Sequence, residues 1–557
     1  MYTRSRISVV TNVTRNLKLF FFGAVFVCAV VGSPQISLAQ KSGGTESTPA
    51  FAPVMIDHMH KMRRYRDADH GGQHTPPVID RFEVDIDPKG AIATFQPNGA
   101  TFTANNAFFK DMGTNGRTCF SCHQPKNGWG VSAKDVAERF EKSGGTDPIF
   151  RLVDGATCPS DDVSTLHAKK RAYKLLTEKG LIRIGLGIPA TAEFSVTGVE
   201  DPHGCNTNPA TGIVNPTTGI VSVYRRPLPT ANISFLSTVM WDGRESTANG
   251  LDSDLRNQAR DATLGHAQAV ASPTDAQLGE IVAFQKGVFT AQVFDNKARF
   301  LSADNAKGGP IKLSMQEFFI GINDPLGGNP KGIPFTSQVF DLYRPWLDAG
   351  KRHDAGNDDQ QPMAGIEDLF KRVNITDAWR HNDHERSMVN EHRRSVARGE
   401  ELFNTVKINI TGVAGLNDDL NVESIPGFCG TCHDSPNIGH HSVKAPLDIG
   451  VPDAGDKKPP VLDIAGLPVF TLTCTQGPLA GKVYKVTDPG RAMISGKCKD
   501  IGRFKGPILR GLAARAPYFH NGSAATLRDV VDFYDQRFNI GLTHKEKTDL
   551  VNFLNTL

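Results

Sequence analysis

The 557-residue chain carries little net charge: 62 Lys and Arg stand against 59 Asp and Glu, which leaves +3. No run of Lys or Arg forms a stripe that would track phosphates, so composition gives no case for nucleic acid as a partner. Long apolar runs are also missing. The one stretch of note, "LFFFGAVFVCAVVG" from Leu19 to Gly32, is about 14 residues against the ~20 that a bilayer-spanning helix needs. No other segment is a candidate span, so no membrane anchor is expected. Alternating strand patterns are scarce too, apart from "VFTLTC" and "KVYKVTD" near 469–488, which read as a hairpin. With 39% hydrophobic and 22% charged residues, the chain reads as globular and multidomain. Helices should dominate, and the 54 Gly and 34 Pro predict long loops between them.

The short apolar run is explained by its flanks. Arg4, Arg6, Arg15 and Lys18 precede it, and "ISLAQ" follows, with small Ser37 and Ala39 bracketing an expected cut after Ala39. This is the three-part layout of an export signal. Residues 1–39 are therefore read as a cleaved signal peptide, and the mature protein as periplasmic. Val27, before Cys28, is not small, which argues against a lipoprotein site. Setting Cys28 aside from the nine cysteines leaves eight. In an oxidising compartment Cys158 can pair with Cys205 and Cys474 with Cys498, although spacing alone does not fix that connectivity.

The other four cysteines form Cys119-Phe-Ser-Cys122-His123 and Cys429-Gly-Thr-Cys432-His433. Two thiols spaced by two residues and followed at once by His make a c-type haem attachment site. The sulfurs bond the porphyrin vinyl groups and the imidazole meets the iron from one face. Structural zinc would want a second ligand pair close in sequence, and neither motif has one. A thioredoxin-like dithiol would need a βαβ context, which is absent. The expectation is two covalently bound haem c groups, with His123 and His433 as proximal iron ligands.

The chain also looks duplicated. "TDAQLGEIVAFQ" (274–285) and "THKEKTDLVNFL" (543–554) share a Thr start, Gln277 or Glu546 three residues on, and an apolar stripe, the signature of capped helices. Upstream, Trp241-Asp242-Gly243 falls opposite His520-Asn521-Gly522. This gives an N-terminal haem domain at 85–295 with an insertion at 131–226, and a C-terminal haem domain at 390–557. A charged, Gly-rich linker or insert at 296–389 is expected on the surface, an extended arm at 40–84, and a helix at 162–179.

"FKGPILRGLAARAPYFHNGSAATLRDVVDFYD", together with "MWDGRE" and the two haem motifs, resembles the bacterial di-haem cytochrome c peroxidase and MauG superfamily. The resemblance is strong over about 390–557, moderate over 105–130 and 225–295, and absent in the inserts. It implies a mainly α fold of two class I cytochrome c-like domains whose haems face a shared interface. It makes Cys119, Cys122, Cys429 and Cys432 the attachment residues and Trp241 the indole between the haems, suited to relay electrons. Tyr534, fourteen residues after His520, falls where classical peroxidases have a Met and MauG-type members a Tyr on the outer face of the C-terminal haem. Met493 and His520 are rivals for that place, His520 being expected instead to hydrogen-bond near the haem interface.

The departures bear on function. The loop His that caps the N-terminal haem in classical peroxidases would fall near Gly219, where there is none, so the His123 iron is expected to keep an open position for a small oxidant. The family's Gln over this haem is matched by Gln258, but its Glu ten residues on is Gln268, an amide that cannot move a proton as a carboxylate does. His266 is the candidate for that role. The family's calcium ligand, an Asn, is matched by Pro227, so calcium is not expected. The implied activity is reduction of hydrogen peroxide with electrons from a small cytochrome c or cupredoxin. The alternatives are MauG-like oxidation of a partner protein's side chains, an O2-using di-haem oxygenase of the rubber-oxygenase type, and a plain electron carrier.

Overall fold

The computed structural model describes residues 75–207, 219–350 and 383–557, which belong to one compact unit. The expected signal peptide, most of the 40–84 arm and residues 351–382 of the linker lie outside the described residues. No helix among the described residues is long and apolar enough to cross a membrane.

Helices do not dominate as expected: 31% of the described residues are helical and 16% extended. Four strands, Phe82–Asp87, Gly90–Phe95, Phe289–Asp295 and Arg299–Phe300, form one antiparallel sheet in that order. The two middle strands are buried along their whole length. A strand covered on both faces has no alternation to read, which is why the sequence did not reveal them. The end of the expected arm thus enters a sheet. The 131–226 insertion is ordered as well: Ile182–Gly187 pairs with Ile220–Arg225, and Phe194–Glu200 crosses to Val469–Cys474. Val469–Cys474 in turn pairs with Val483–Val486, the anticipated hairpin. The helix expected at 162–179 is two short ones, Leu166–Ala172 and Lys174–Lys179, meeting at Tyr173. Cys158 is bonded to Cys205 and Cys474 to Cys498.

The described part of the 296–389 segment is not a surface linker. Val339, Phe340, Leu342, Tyr343 and Trp346 are buried in one cluster with Phe403, Leu550 and Phe553. Those last three come from the 23-residue helix Asp383–Thr405 and the closing helix His544–Leu554. The two helices meet at Gly399, where an added Cβ would stand 2.0 Å from the Asp549 carbonyl oxygen. Only a glycine allows backbones this close.

The duplication is visible in the backbone. Thr274 and Thr543 each close a reciprocal capping box, with Gln277 and Glu546. Asn232 N–H donates to the Val288 carbonyl (2.9 Å) and Gly511 N–H to that of Leu557 (2.8 Å). The left-handed residues Asn232, Met240 and Gly243 (φ 62°, 65°, 72°) recur at the same spacing as Gly511, Phe519 and Gly522 (φ 66°, 66°, 64°). Between the halves the bonds are reciprocal: Arg226 N–H donates to the His520 carbonyl (2.7 Å), and Lys505 N–H to that of Trp241 (2.9 Å).

Candidate functional site

Each Cys-x-x-Cys-His motif folds into a single 3-10 turn, Cys119–Ser121 and Cys429–Thr431. The hydroxyl inside each motif fixes the turn, with Thr118 N–H donating to Ser121 Oγ and Phe428 N–H to Thr431 Oγ1, both at 3.0 Å. The turns present both cysteines and the His to a cavity: Cys119, Cys122 and His123 to one of about 1380 Å³, Cys429, Cys432 and His433 to one of about 1830 Å³, each partly open to solvent. All four thiols are free. Burial pushes Cys119, Cys429 and Cys432 up to about 12 and raises Cys122.

The imidazoles are set alike. His123 Nδ1 lies 2.9 Å from the Trp129 carbonyl and His433 Nδ1 2.8 Å from that of Gly439. A carbonyl can only accept, so Nδ1 carries the hydrogen and Nε2 keeps its lone pair, the arrangement that orients a metal-binding histidine. Burial lowers the His123 pKa to about 4 and lowers that of His433, so both rings are neutral near pH 7.

The second cavity is walled by apolar side chains, among them Ile408, Leu447, Val530 and Leu550, and by the cations Arg226, Lys505 and Arg515. None of the three has a carboxylate partner among the described residues. Burial lowers Arg226 to about 9 and Lys505 to about 7. An apolar ring bearing two carboxylates, reactive toward two thiols and holding a metal at its centre, matches this donor set, so the residues present fit haem.

Arg226, Pro227, Leu228, Pro229 and Trp241 line both cavities and form the wall between them. Trp241 Nε1–H donates to the Arg226 carbonyl (2.8 Å), and its ring lies 6.2 Å from that of His520. The turn that carries it is locked: Arg225 bonds Asp242 on one side and Asp488 on the other, and all three are buried.

The predicted residues divide. Gln258 and His266 line the first cavity, carried by the Leu251–Gly265 helix and its C-cap. Gln268 does not: it is exposed at φ 55°, and its side-chain oxygen accepts from Asn115 Nδ2 (3.2 Å), because the chain turns away after His266. Tyr534 lines the second cavity, with its ring 6.5 Å from that of His433. No hydrogen bond is made by its hydroxyl among the described residues, and burial raises its pKa. Met493 is packed with Leu186, Phe194 and Phe470 away from the cavity, which removes it as a rival ligand. His520 sits at the cavity wall stacked on Phe504 (3.8 Å); its buried Nε2 has no hydrogen-bond partner among the described residues, and burial lowers its pKa to about 3. Gly219 is outside the first cavity.

Sequence reasoning missed several residues here. Met112 and Met240 place thioethers at the first cavity, and Asp154, buried, bonds His266. Asp154 lies in the insertion and carries no motif. The unpaired cations were likewise unreadable, since an isolated Arg or Lys gives no sign of being buried.

No family model matches the chain. It is 36% identical over 140 residues to a cytochrome-c peroxidase of Denitromonas iodatirespirans (24% of this chain, 36% of the relative). It is 30% identical over 143 residues to a cytochrome-c peroxidase of Pseudomonas sp. strain SCT (23% and 36%). The chain spans about a third of the length of these curated relatives. A crystal structure of a MauG-like protein associated with microbial copper homeostasis covers 81% of this chain and 86% of its own at 15% identity, but its TM-score of 0.30 is too low to establish a common fold. Over these stretches the chain is similar to bacterial cytochrome-c peroxidases, in agreement with the resemblance its motifs carry.

Proposed function

We propose that the protein is a periplasmic di-haem c-type oxidoreductase that reduces hydrogen peroxide with electrons from a small redox protein. The observation that carries this reading is the pair of motif-lined cavities sharing one wall at Trp241. In it, Cys119 and Cys122 would hold one haem and Cys429 and Cys432 the other, with His123 and His433 offering Nε2 to the metals. Haem c, when bound, supplies redox-active iron at each site.

The rest is done by the chain. Arg226, Lys505 and Arg515 would neutralise the haem carboxylates in a cavity otherwise lacking counter-charge. Gln258 and His266 face the first cavity, where a small oxidant would enter, and His266 Nε2 is placed to hold or release a proton there. Trp241 would pass electrons through the shared wall. Its Nε1–H is bonded to a carbonyl, which cannot take the proton, so the indole can lose and regain an electron without losing its hydrogen.

MauG-like oxidation of a partner protein's side chains is the second reading, favoured by the unpartnered Tyr534 hydroxyl at the second cavity. A phenolate ligand stabilises higher oxidation states and suits slow, strong oxidation. EPR of the ferric protein with and without hydrogen peroxide separates the readings. A high-spin signal at rest supports the open site, and its absence overturns it. Tyr534→Phe should alter the second haem's signal and leave the first unchanged. Rapid turnover with a reduced small cytochrome c supports the peroxidase. A long-lived peroxide-induced signal with little turnover supports the second reading.

A further inference from the structure

The insertion at 131–226, which the resemblance does not cover, brings a carboxylate to the first cavity. Asp154 lines it beside Arg117, His266, Gln258 and the Cys119–His123 motif. Asp154 is buried and both its oxygens are committed: Oδ1 accepts from Arg117 Nη1 and Oδ2 faces His266 Nδ1, each at 2.5 Å. Arg117 is fixed in turn, donating from Nε to the Pro148 carbonyl (2.8 Å) and from Nη2 to that of Ile149 (2.7 Å). The main chain of His266 is held from the same side, its carbonyl accepting from Asn115 Nδ2 (2.8 Å) and Arg117 Nη1 (3.1 Å). At Gly113 an added Cβ would stand 1.8 Å from the Ala267 carbonyl oxygen, so this segment is tightly gripped.

The chemistry of this grip is directional. Burial alone would raise the Asp154 pKa, but Arg117 and His266 outweigh it and hold the carboxyl below its ordinary value. An ionised acceptor at Nδ1 makes that nitrogen the donor and leaves the lone pair on Nε2. Nε2 makes no hydrogen bond among the described residues, so it is available to a molecule in the cavity. The His266 side chain is 39% exposed, which gives a proton taken at Nε2 a way out to water.

We propose that Asp154 is the positioning residue for His266, so that a histidine–carboxylate pair handles the proton at the first cavity in place of the family's Glu, which is matched here by Gln268. This rests on the di-haem reading above. A neutral acid such as hydrogen peroxide or hydrogen cyanide must give up one proton to bind iron as its anion. His266 Nε2 takes that proton, while the Nδ1 hydrogen stays on the bond to Asp154. No electron moves in this step.

The test is the association rate of cyanide with the ferric holoprotein, followed optically, since it reads proton acceptance without turnover. His266→Leu should slow association about a hundredfold. Asp154→Asn should slow it at least about tenfold, because the amide lets the ring turn or change tautomer, and Asp154→Glu should recover part of the rate. The Soret band and both EPR signals should stay as in the wild type. If His266→Leu binds cyanide at the wild-type rate, the proposal is overturned while the di-haem reading stands. A change of resting spin state in His266→Leu also overturns it, since His266 would then be an iron ligand. If Asp154→Asn does not accumulate as holoprotein, Asp154→Glu and His266→Gln decide the matter. A wild-type protein with no high-spin iron and no cyanide binding would instead defeat the reading on which the proposal rests.

Discussion

Single residues in this protein act through what holds them. Trp241 is placed by its own Nε1–H bond to Arg226 and by the Lys505 N–H on its carbonyl, so its ring has little freedom in the wall between the cavities. A phenyl ring is harder to oxidise than an indole and cannot make the Nε1–H bond. On the proposed reading, Trp241→Phe should slow electron exchange between the two halves at least about tenfold while both haem spectra remain. Rapid mixing of the reduced protein with hydrogen peroxide, watching each haem separately, measures this. Equal rates in the two proteins would remove Trp241 from the path. Tyr534 and Met493 show the complementary lesson. Both were candidates for the same ligand place; Tyr534 lines the second cavity, whereas Met493 is spent on a hydrophobic cluster away from it.

At the scale of elements, the contact between Asp383–Thr405 and His544–Leu554 forms the core of the C-terminal half. Next to Gly399, Glu400 turns its carboxyl onto the N–H groups of Leu342 and Tyr343, which pins the buried 339–346 segment to the helix. Burial raises the Glu400 pKa to about 7, although the two N–H bonds work the other way. The folded chain therefore keeps this proton up to about pH 7, whereas the unfolded chain releases it near its ordinary value of 4.5. Stability from this group is highest at the acid end of that window and falls as pH rises through it. Between pH 5 and pH 8, urea unfolding of Glu400→Gln should lose less stability than the wild type by on the order of 2 kcal/mol, with Glu83, Asp85, Asp448 and Asp453, also raised by burial, adding losses common to both proteins. An unchanged difference in the variant would show that other groups govern the pH dependence. The same elements show why the linker expectation failed. The Gly and Asp richness of 296–389 is real, but a few large apolar residues at 339–346 outweigh it once a helix face is there to receive them.

The whole molecule is two similar halves joined by pairs of reciprocal contacts and by one sheet. The sheet couples Phe194–Glu200 of the first half to Val469–Cys474 of the second, and Arg225 bonds carboxylates of both, Asp242 and Asp488. Removing that guanidinium would leave buried Asp488 with only the Gly490 N–H among the described residues, and buried Asp242 with Arg244 as its remaining cation. Arg225→Met should destabilise the protein by about 3–5 kcal/mol and displace Trp241, since Asp242 is the next residue. Thermal unfolding and the fluorescence of the variant check this, and a loss below about 1 kcal/mol would mean the halves are held together elsewhere.

What the sequence determined by itself is the chemistry that depends on neighbours along the chain. Cys-x-x-Cys-His, the Thr-capped helices and the Trp-Asp-Gly and His-Asn-Gly turns are local patterns, and the structure repeats their backbone in both halves. The hairpin at 469–488 was legible for the same reason, whereas the pairs Cys158–Cys205 and Cys474–Cys498 were only one option that the cysteine count allowed until the fold fixed them. Only the tertiary structure decided what distant partners create. It put strands inside a sheet where no alternation survives, gathered Arg226, Lys505 and Arg515 at one cavity without counter-charge, and moved Gln268 out of the other. It also set Asp154 against His266 across 112 residues. Burial and the ion pairs it forces are properties of the folded volume, and no spacing in the chain encodes them.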